Sequence, residues 1–135
     1  MDRSAQYKRK IEYIASKLRN LPPNLDDEYY FDALLYRLQT SIDAAMDIIA
    51  MLVKDLGFEV GDDYNNIEKL ESEKIVEKGM ADFLRKLNGL RNAMVHKYNK
   101  FEEDIVRKEL DEVQSQIFNF LEVIENVIQK ILGAD

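Results

Sequence analysis

Residues 31–56 read FDALLYRLQTSIDAAMDIIAMLVKDL, and apolar positions recur there at alternating steps of four and three residues. This spacing follows one face of an α-helix, so it predicts a long helix with one buried stripe. The stripe consists of Phe31, Leu35, Leu38, Ile42, Ala45, Ile49, Leu52 and Leu56. We expect Asp26 or Asp27 to cap the start of this helix and Gly57 to follow its end.

The same spacing recurs on both sides of this helix. An apolar face from Tyr7 to Leu21 predicts a first helix, which Pro22 and Pro23 should stop. Residues 57–63 are predicted to form a loop, and about 66–72 a short, weaker helix. A further helix over about 76–90 is expected to be interrupted or ended near Gly89. An unbroken stripe over 106–131, closed by Gly133, predicts the last helix.

These stripes predict an all-α fold. The expected architecture is a single domain over residues 1–135, an up-and-down bundle of four main helices plus a short extra helix near residue 70. Two long stripes could also form a coiled coil between chains, but burial within one antiparallel bundle is the favoured interpretation. Additional apolar residues beside the last stripe need cover, which predicts a homodimer.

The composition excludes several classes of protein. Without cysteine and with one histidine, the chain is not expected to form a conventional zinc or iron site. No apolar run is long enough for a transmembrane helix, no signal peptide is recognised, and we expect a cytoplasmic protein with no cofactor. A net charge of −7 argues against nucleic-acid binding over the whole surface, but it permits a local basic cleft.

One segment departs from this acidic background. Residues 83–101 contain no Asp or Glu, whereas the remainder of the chain has 14 cations and 26 acids. The only histidine, His96, lies inside this segment and is the one side chain that ordinarily titrates near neutral pH. We therefore expect an RNA-binding cleft here, with five cations: Arg85, Lys86, Arg91, Lys97 and Lys100.

Arg91 and His96 together suit RNA cleavage. An imidazole can take a proton from a ribose 2′-hydroxyl, and a guanidinium can hold the phosphoryl group. On an ideal helix, however, residues five apart diverge by about 140°. The two converge only if the helix ends or distorts between them, or if a second subunit supplies the complementary half. From the spacing alone, a solvated cation and a packed imidazole remain the simpler interpretation.

The segment LRNAMVHKY at 90–98 resembles the signature of HEPN-domain proteins, and specifically of the HepT-like toxins. In that family an Arg, usually followed by Asn, is separated by four residues from a His, with a Tyr two residues later. Arg91, Asn92, His96 and Tyr98 match this pattern. Lys97 occupies a position that is often Gly in the family, and it changes local backbone freedom and charge. The order of predicted helices is similar over almost the whole chain.

This resemblance implies a metal-independent endoribonuclease toxin that acts as a homodimer, with Arg91 and His96 catalytic and Asn92 and Tyr98 supporting. It also implies a cognate antitoxin, an MntA-like minimal nucleotidyltransferase that silences the toxin by transferring AMP to Tyr98. A bulky anion at this position would repel an RNA phosphate. Apart from the resemblance, Tyr98 can be interpreted as an interfacial aromatic with its hydroxyl in water.

Further polar residues could assist the motif. Asp43 and Asp47 share one face of the long helix and could orient Arg91 or His96, although an ordinary surface position is equally compatible. Arg37 could pair with one of these aspartates or add a cation to the cleft. The pair Tyr29-Tyr30 could stack on bases, or it could split between core and rim.

Two other functions remain compatible with the sequence. One is a non-catalytic nucleotide- or RNA-binding partner of a minimal nucleotidyltransferase. The other is a purely structural helical partner, which predicts an arbitrary charge pattern around Arg91. The acid-free segment at 83–101 argues against the structural alternative.

Overall fold

The computed structural model describes residues 2–95 and 100–133, with side chains in the second range from residue 103 onward. These residues form helices and connecting turns, and no strand occurs among them, as the apolar spacing predicted. The helices are α1 (Arg3–Arg19), α2 (Glu28–Asp55), α3 (Asp63–Ser72), α4 (Lys78–Val95) and α5 (Lys100–Leu132).

The four long helices close into a ring in the order α1, α2, α4, α5. Helix α1 packs against α2 and α5, and α4 packs against the same two helices. The short helix α3 lies against α2 and α4. Side-chain bonds show that α1 and α2 are antiparallel, because Arg3 reaches Asp55 and Arg37 reaches Lys17. The predicted bundle of four main helices plus one short helix is therefore confirmed.

The predicted stripes form the core inside one chain. On α2 the stripe is buried from Phe31 to Leu52, and on α5 it is buried from Val106 to Ile124. The last apolar residues of α5, including Ile128 and Leu132, are only partly buried. Burial of each large apolar side chain stabilises the fold by roughly 1.5–3 kcal/mol. The bundle interpretation, rather than a coiled coil between chains, accounts for these stripes.

Local signals set several helix ends as expected. Asp27 caps α2, its Oδ1 accepting from the backbone N–H groups of Tyr29 and Tyr30 at 2.8 and 3.3 Å. Gly57 follows α2 with φ of +89°, a conformation that only glycine adopts without steric cost. Helix α3 starts earlier than predicted, at Asp63, because Asp62 caps it by accepting from the N–H of Asn65.

The predicted break at Gly89 is wrong. Helix α4 continues through Gly89 to Val95, with Leu84, Leu87 and Met94 buried on one side of it. Glycine in a helix interior costs about 1 kcal/mol relative to alanine, and burial of these neighbours outweighs that cost.

A polar clip joins the start of α1 to the end of α2. Tyr7 is buried and donates from Oη to Asp55 Oδ2 at 2.6 Å, and Arg3 Nε donates to the same oxygen at 2.8 Å. Burial, followed by the bond to Asp55, raises the pKa of Tyr7 above its usual range. The clip thus fixes the antiparallel register of α1 and α2.

None of the helices in the described ranges is both long and apolar enough to cross a membrane.

Candidate active site

Arg91 lies near the end of α4 and projects toward α2. Its Nε donates to Asp43 Oδ1 at 2.8 Å, and the side chains of Arg91 and Asp43 are 34% and 45% exposed. Its Nη1 makes a longer bond of 3.4 Å to Oδ1 of the exposed Asn92. Of the two alternatives for Asp43, the structure thus shows the one in which it orients Arg91.

Further carboxylates surround this ion pair. Burial raises the pKa of Asp63, and repulsion from Asp62, Asp43 and Asp47 adds to the rise, while Arg91 opposes it. Asp47 lies one turn after Asp43 on α2 and pairs with α1 instead of α4. Its Oδ2 accepts from Lys10 Nζ at 3.4 Å. Arg91 therefore lies beside several carboxylates, a setting in which an incoming phosphate would compete with acids for the guanidinium.

The cations earlier in α4 are also paired. Arg85 donates to Glu71 of α3 and, at 2.9 Å, to Asp82 Oδ1 within α4. Lys86 Nζ donates to Glu109 Oε1 of α5 at 2.6 Å. The segment 83–101 is free of acids in sequence, but neighbouring elements supply acids in space. An anion would therefore reach Arg85 or Lys86 only by exchange with a carboxylate.

The remaining predicted site residues lie outside the ranges that the structure describes. His96, Lys97 and Tyr98 fall in the gap between the two described ranges, and the side chain of Lys100 is also undescribed. Helix α4 runs to Val95, the residue before His96. Among the described residues, no cluster of three or more His, Cys, Asp or Glu could hold a metal ion.

Two other predictions each offered two alternatives, and the structure contradicts one alternative of each. Arg37 does not pair with Asp43 or Asp47; its Nη1 instead donates to the carbonyl of Lys17 near the end of α1, at 3.1 Å. Tyr29 and Tyr30 do not split between core and rim, because both are exposed. Sequence reasoning missed the carboxylates of Asp63, Glu71 and Glu109, which come from elements distant in sequence and carry no local signal.

Comparison with protein families gives a match over most of the chain. The model of the family described as "Ribonuclease HepT-like" matches residues 7–124. A relative from Archaeoglobus fulgidus, named "Putative RNase", is 42% identical over 129 residues, which cover 96% of this chain and 98% of the relative.

Solved structures share the fold. A chain in the crystal structure of an MntA–HepT toxin–antitoxin mutant superposes with a TM-score of 0.79 at 21% identity, covering 89% of this chain and 98% of that one. A second structure is of a tri-AMPylated Shewanella oneidensis HEPN toxin in complex with its MNT antitoxin. It matches with a TM-score of 0.69 at 25% identity, covering 90% of this chain and 92% of that one.

Proposed function

Because this chain belongs to the HepT-like ribonuclease family, we propose that it is the toxin of a toxin–antitoxin pair and cleaves RNA without a metal ion. The observation that carries this proposal is the Arg91–Asp43 pair, which holds a guanidinium at the end of α4 immediately before the only histidine. A base, a proton donor and a cation suffice for cleavage by an internal nucleophile.

In the proposed reaction the ribose 2′-oxygen attacks the adjacent phosphorus. The 2′-hydroxyl proton passes to the imidazole of His96 as the new oxygen–phosphorus bond forms. The bond from phosphorus to the 5′-oxygen then breaks, and that oxygen takes up a proton from an imidazolium. Arg91 holds the non-bridging oxygens and stabilises their developing charge. The products are a 2′,3′-cyclic phosphate and a 5′-hydroxyl.

The chain supplies one imidazole for two proton transfers. A homodimer that brings two copies of the motif to one cleft would provide a base and an acid at the same time. The partly buried apolar end of α5 supports such an assembly, because it needs further cover. In this proposal Asn92 positions Arg91, and Arg85, Lys86, Lys97 and Lys100 hold flanking phosphates.

The proposed partner is a minimal nucleotidyltransferase antitoxin of the MntA type. Its support is the likeness to a Shewanella oneidensis toxin that is described as AMPylated and bound to its MNT antitoxin. On this chain the proposed acceptor is Tyr98, two residues after His96. The phenolic oxygen would attack the α-phosphorus of ATP, lose its proton to a base of the antitoxin, and release pyrophosphate.

End-group analysis of RNA incubated with the purified protein tests the catalytic proposal. We expect 2′,3′-cyclic phosphate and 5′-hydroxyl ends, formed equally well in the presence of a chelator. Arg91→Ala and His96→Ala should each abolish cleavage and growth inhibition while leaving helicity intact, because the two residues act as a unit. If His96→Ala still cleaves, or the chelator stops the reaction, this mechanism is wrong. RNA binding without any cleavage by the wild type would favour the non-catalytic alternative.

A further inference from the structure

The outer face of α2 carries tyrosines that the proposed reaction does not use. Tyr29 and Tyr36 are 84% and 63% exposed, and they lie seven residues apart. Seven residues make nearly two complete helical turns, so both rings lie on the same face, as does Asp43 a further seven residues on. Tyr29, Tyr36 and Asp43 therefore follow one another at intervals of about 10 Å along the helix axis. The face therefore leads along the helix to the Asp43–Arg91 pair.

One edge of α1 lies beside this face. The bond from Lys10 to Asp47 and the bond from Arg37 to the carbonyl of Lys17 hold the two helices together there. Tyr13 on this edge is 37% exposed, and Lys17 Nζ lies 5.4 Å from the centre of its ring. We call Tyr13, Lys17, Tyr36 and Arg37 together the α1–α2 face.

The cations of the α1–α2 face differ from those near the active site. Within residues 2–95 and 103–133, neither Lys17 nor Arg37 is ion-paired with a carboxylate; their contacts are a tyrosine ring and a backbone carbonyl. Arg85, Lys86 and Arg91, in contrast, each bond a carboxylate. Lys17 and Arg37 can therefore meet a phosphate without the breaking of an ion pair.

Exposed aromatic rings next to such cations are typical of surfaces that bind single-stranded nucleic acid. The rings accept the flat faces of bases, and the cations follow the backbone. A duplex offers fewer base faces, because its bases are stacked on one another. The acidic surroundings of Arg91 strengthen this argument, since they limit how much affinity phosphate contacts at the active site can provide.

We propose that the α1–α2 face is a binding site for single-stranded RNA, with bases stacked on Tyr36 and Tyr13 and phosphates held by Lys17 and Arg37. From this site the strand runs along α2 to Arg91. This inference rests on the proposed function, because it places the substrate of that reaction. In this proposal RNA first binds by base stacking, at a site beside the reacting centre.

The test is a binding titration with an RNA that cannot react. A fluorescently labelled, unstructured 2′-O-methyl oligoribonucleotide lacks the 2′-hydroxyl that the proposed cleavage needs, so its anisotropy reports binding alone. Tyr36→Ala should weaken binding at least about fivefold, and Tyr36→Phe should bind as the wild type does, since the ring remains. Lys17→Ala should also weaken binding. Lys108→Ala should not, because Lys108 is an exposed residue of α5, outside the α1–α2 face.

Several outcomes would overturn the inference. These are wild-type protein that fails to bind the oligonucleotide, Tyr36→Ala protein that binds it as tightly as wild type, and a duplex of the same sequence that binds equally well. Dissociation of a dimer by Tyr36→Ala, with RNA affinity unchanged, would instead make this face a contact between protein chains. A wild type that binds through Tyr36 but never cleaves natural RNA would refute the ribonuclease proposal and leave this binding site intact.

Discussion

At the scale of single residues, Asp43 has two opposing effects on Arg91. It fixes the guanidinium through Nε, but it also offers a negative charge that competes with the phosphate of the substrate. The bond from Nη1 to Asn92 is long, at 3.4 Å, and can be exchanged for a phosphate oxygen at little cost. In the proposed reaction Asp43 is therefore a positioning residue, and its removal should affect binding and turnover in different directions.

We expect Asp43→Ala to lower kcat by about 100-fold, because a poorly placed guanidinium loses its alignment with the reacting phosphate. KM should fall, since a competing carboxylate has been removed. Steady-state kinetics on a short RNA measure both effects. Asp47→Ala is the matched control one turn away, because Asp47 bonds Lys10 rather than Arg91. Equal losses in the two variants would show that Asp43 has only a structural role.

Tyr98 is expected to be the residue that the antitoxin modifies. With the cognate nucleotidyltransferase and ATP, the protein should gain mass in adenylate units, and Tyr98→Phe should prevent this gain because it lacks the accepting oxygen. Intact-mass spectrometry measures the change, and an RNA titration should show weakened binding of the modified protein, since the added phosphate competes for Arg91. Adenylation at another residue, or unchanged RNA binding, would contradict this role.

At the scale of the helices, Gly89 lies within α4 without helping to shape it. Its φ is not positive, and among the described residues a methyl group added there would meet only Tyr64 Oη, at an ordinary contact distance of 4.0 Å. The glycine therefore increases the entropy of the unfolded chain and brings no compensating contact to the fold.

Gly89→Ala should raise the free energy of unfolding by about 0.5–1 kcal/mol, as measured by urea denaturation. Gly57→Ala is the opposite case. An added methyl group there meets open space, but φ is +89°, so this variant should be less stable than the wild type. A destabilised Gly89→Ala protein would mean that α4 needs a distortion at this position.

The sequence predicted the helices because their apolar stripes and capping residues are local features. Asp27 and Gly57 act within a few residues, and the long stripe of α2 needs only a partner surface to become a core. The continuation of α4 through Gly89 could not be predicted in this way, since it depends on burial of Leu87 and Met94 against other helices.

The site was predictable in its residue types but not in its electrostatics. The motif identifies Arg91. Asp43 is recognisable because it shares one face of α2 with a second acid, Asp47. That Glu71 neutralises Arg85, and Glu109 neutralises Lys86, depends on how α3 and α5 pack on α4. The exposed tyrosines of α2 did leave a signal, because Tyr29 and Tyr36 lie at outward positions of its apolar pattern.

At the scale of the whole molecule, we expect a homodimer. Analytical ultracentrifugation at micromolar concentration should give twice the mass of the chain, and the dimer should be needed for cleavage because one chain has a single histidine. Mixing wild type with an excess of His96→Ala protein tests for a shared cleft, since a mixed dimer keeps one imidazole where the proposed reaction uses two, so activity per wild-type chain should fall. A wild type that is active as a monomer would contradict this assembly.

The loop at 57–61, exposed except at Phe58, separates two segments of the chain. The segment before it contains Asp43 and the α1–α2 face, whereas Arg91 and His96 follow it. A chain cut at this loop would give two fragments, each with an uncovered apolar stripe and an incomplete site. On the proposed function, neither fragment should harm a cell alone, but fusion to two associating proteins should restore the ring of helices. A protein that acts in the proposed way is therefore a natural starting point for a split-toxin reporter of protein association.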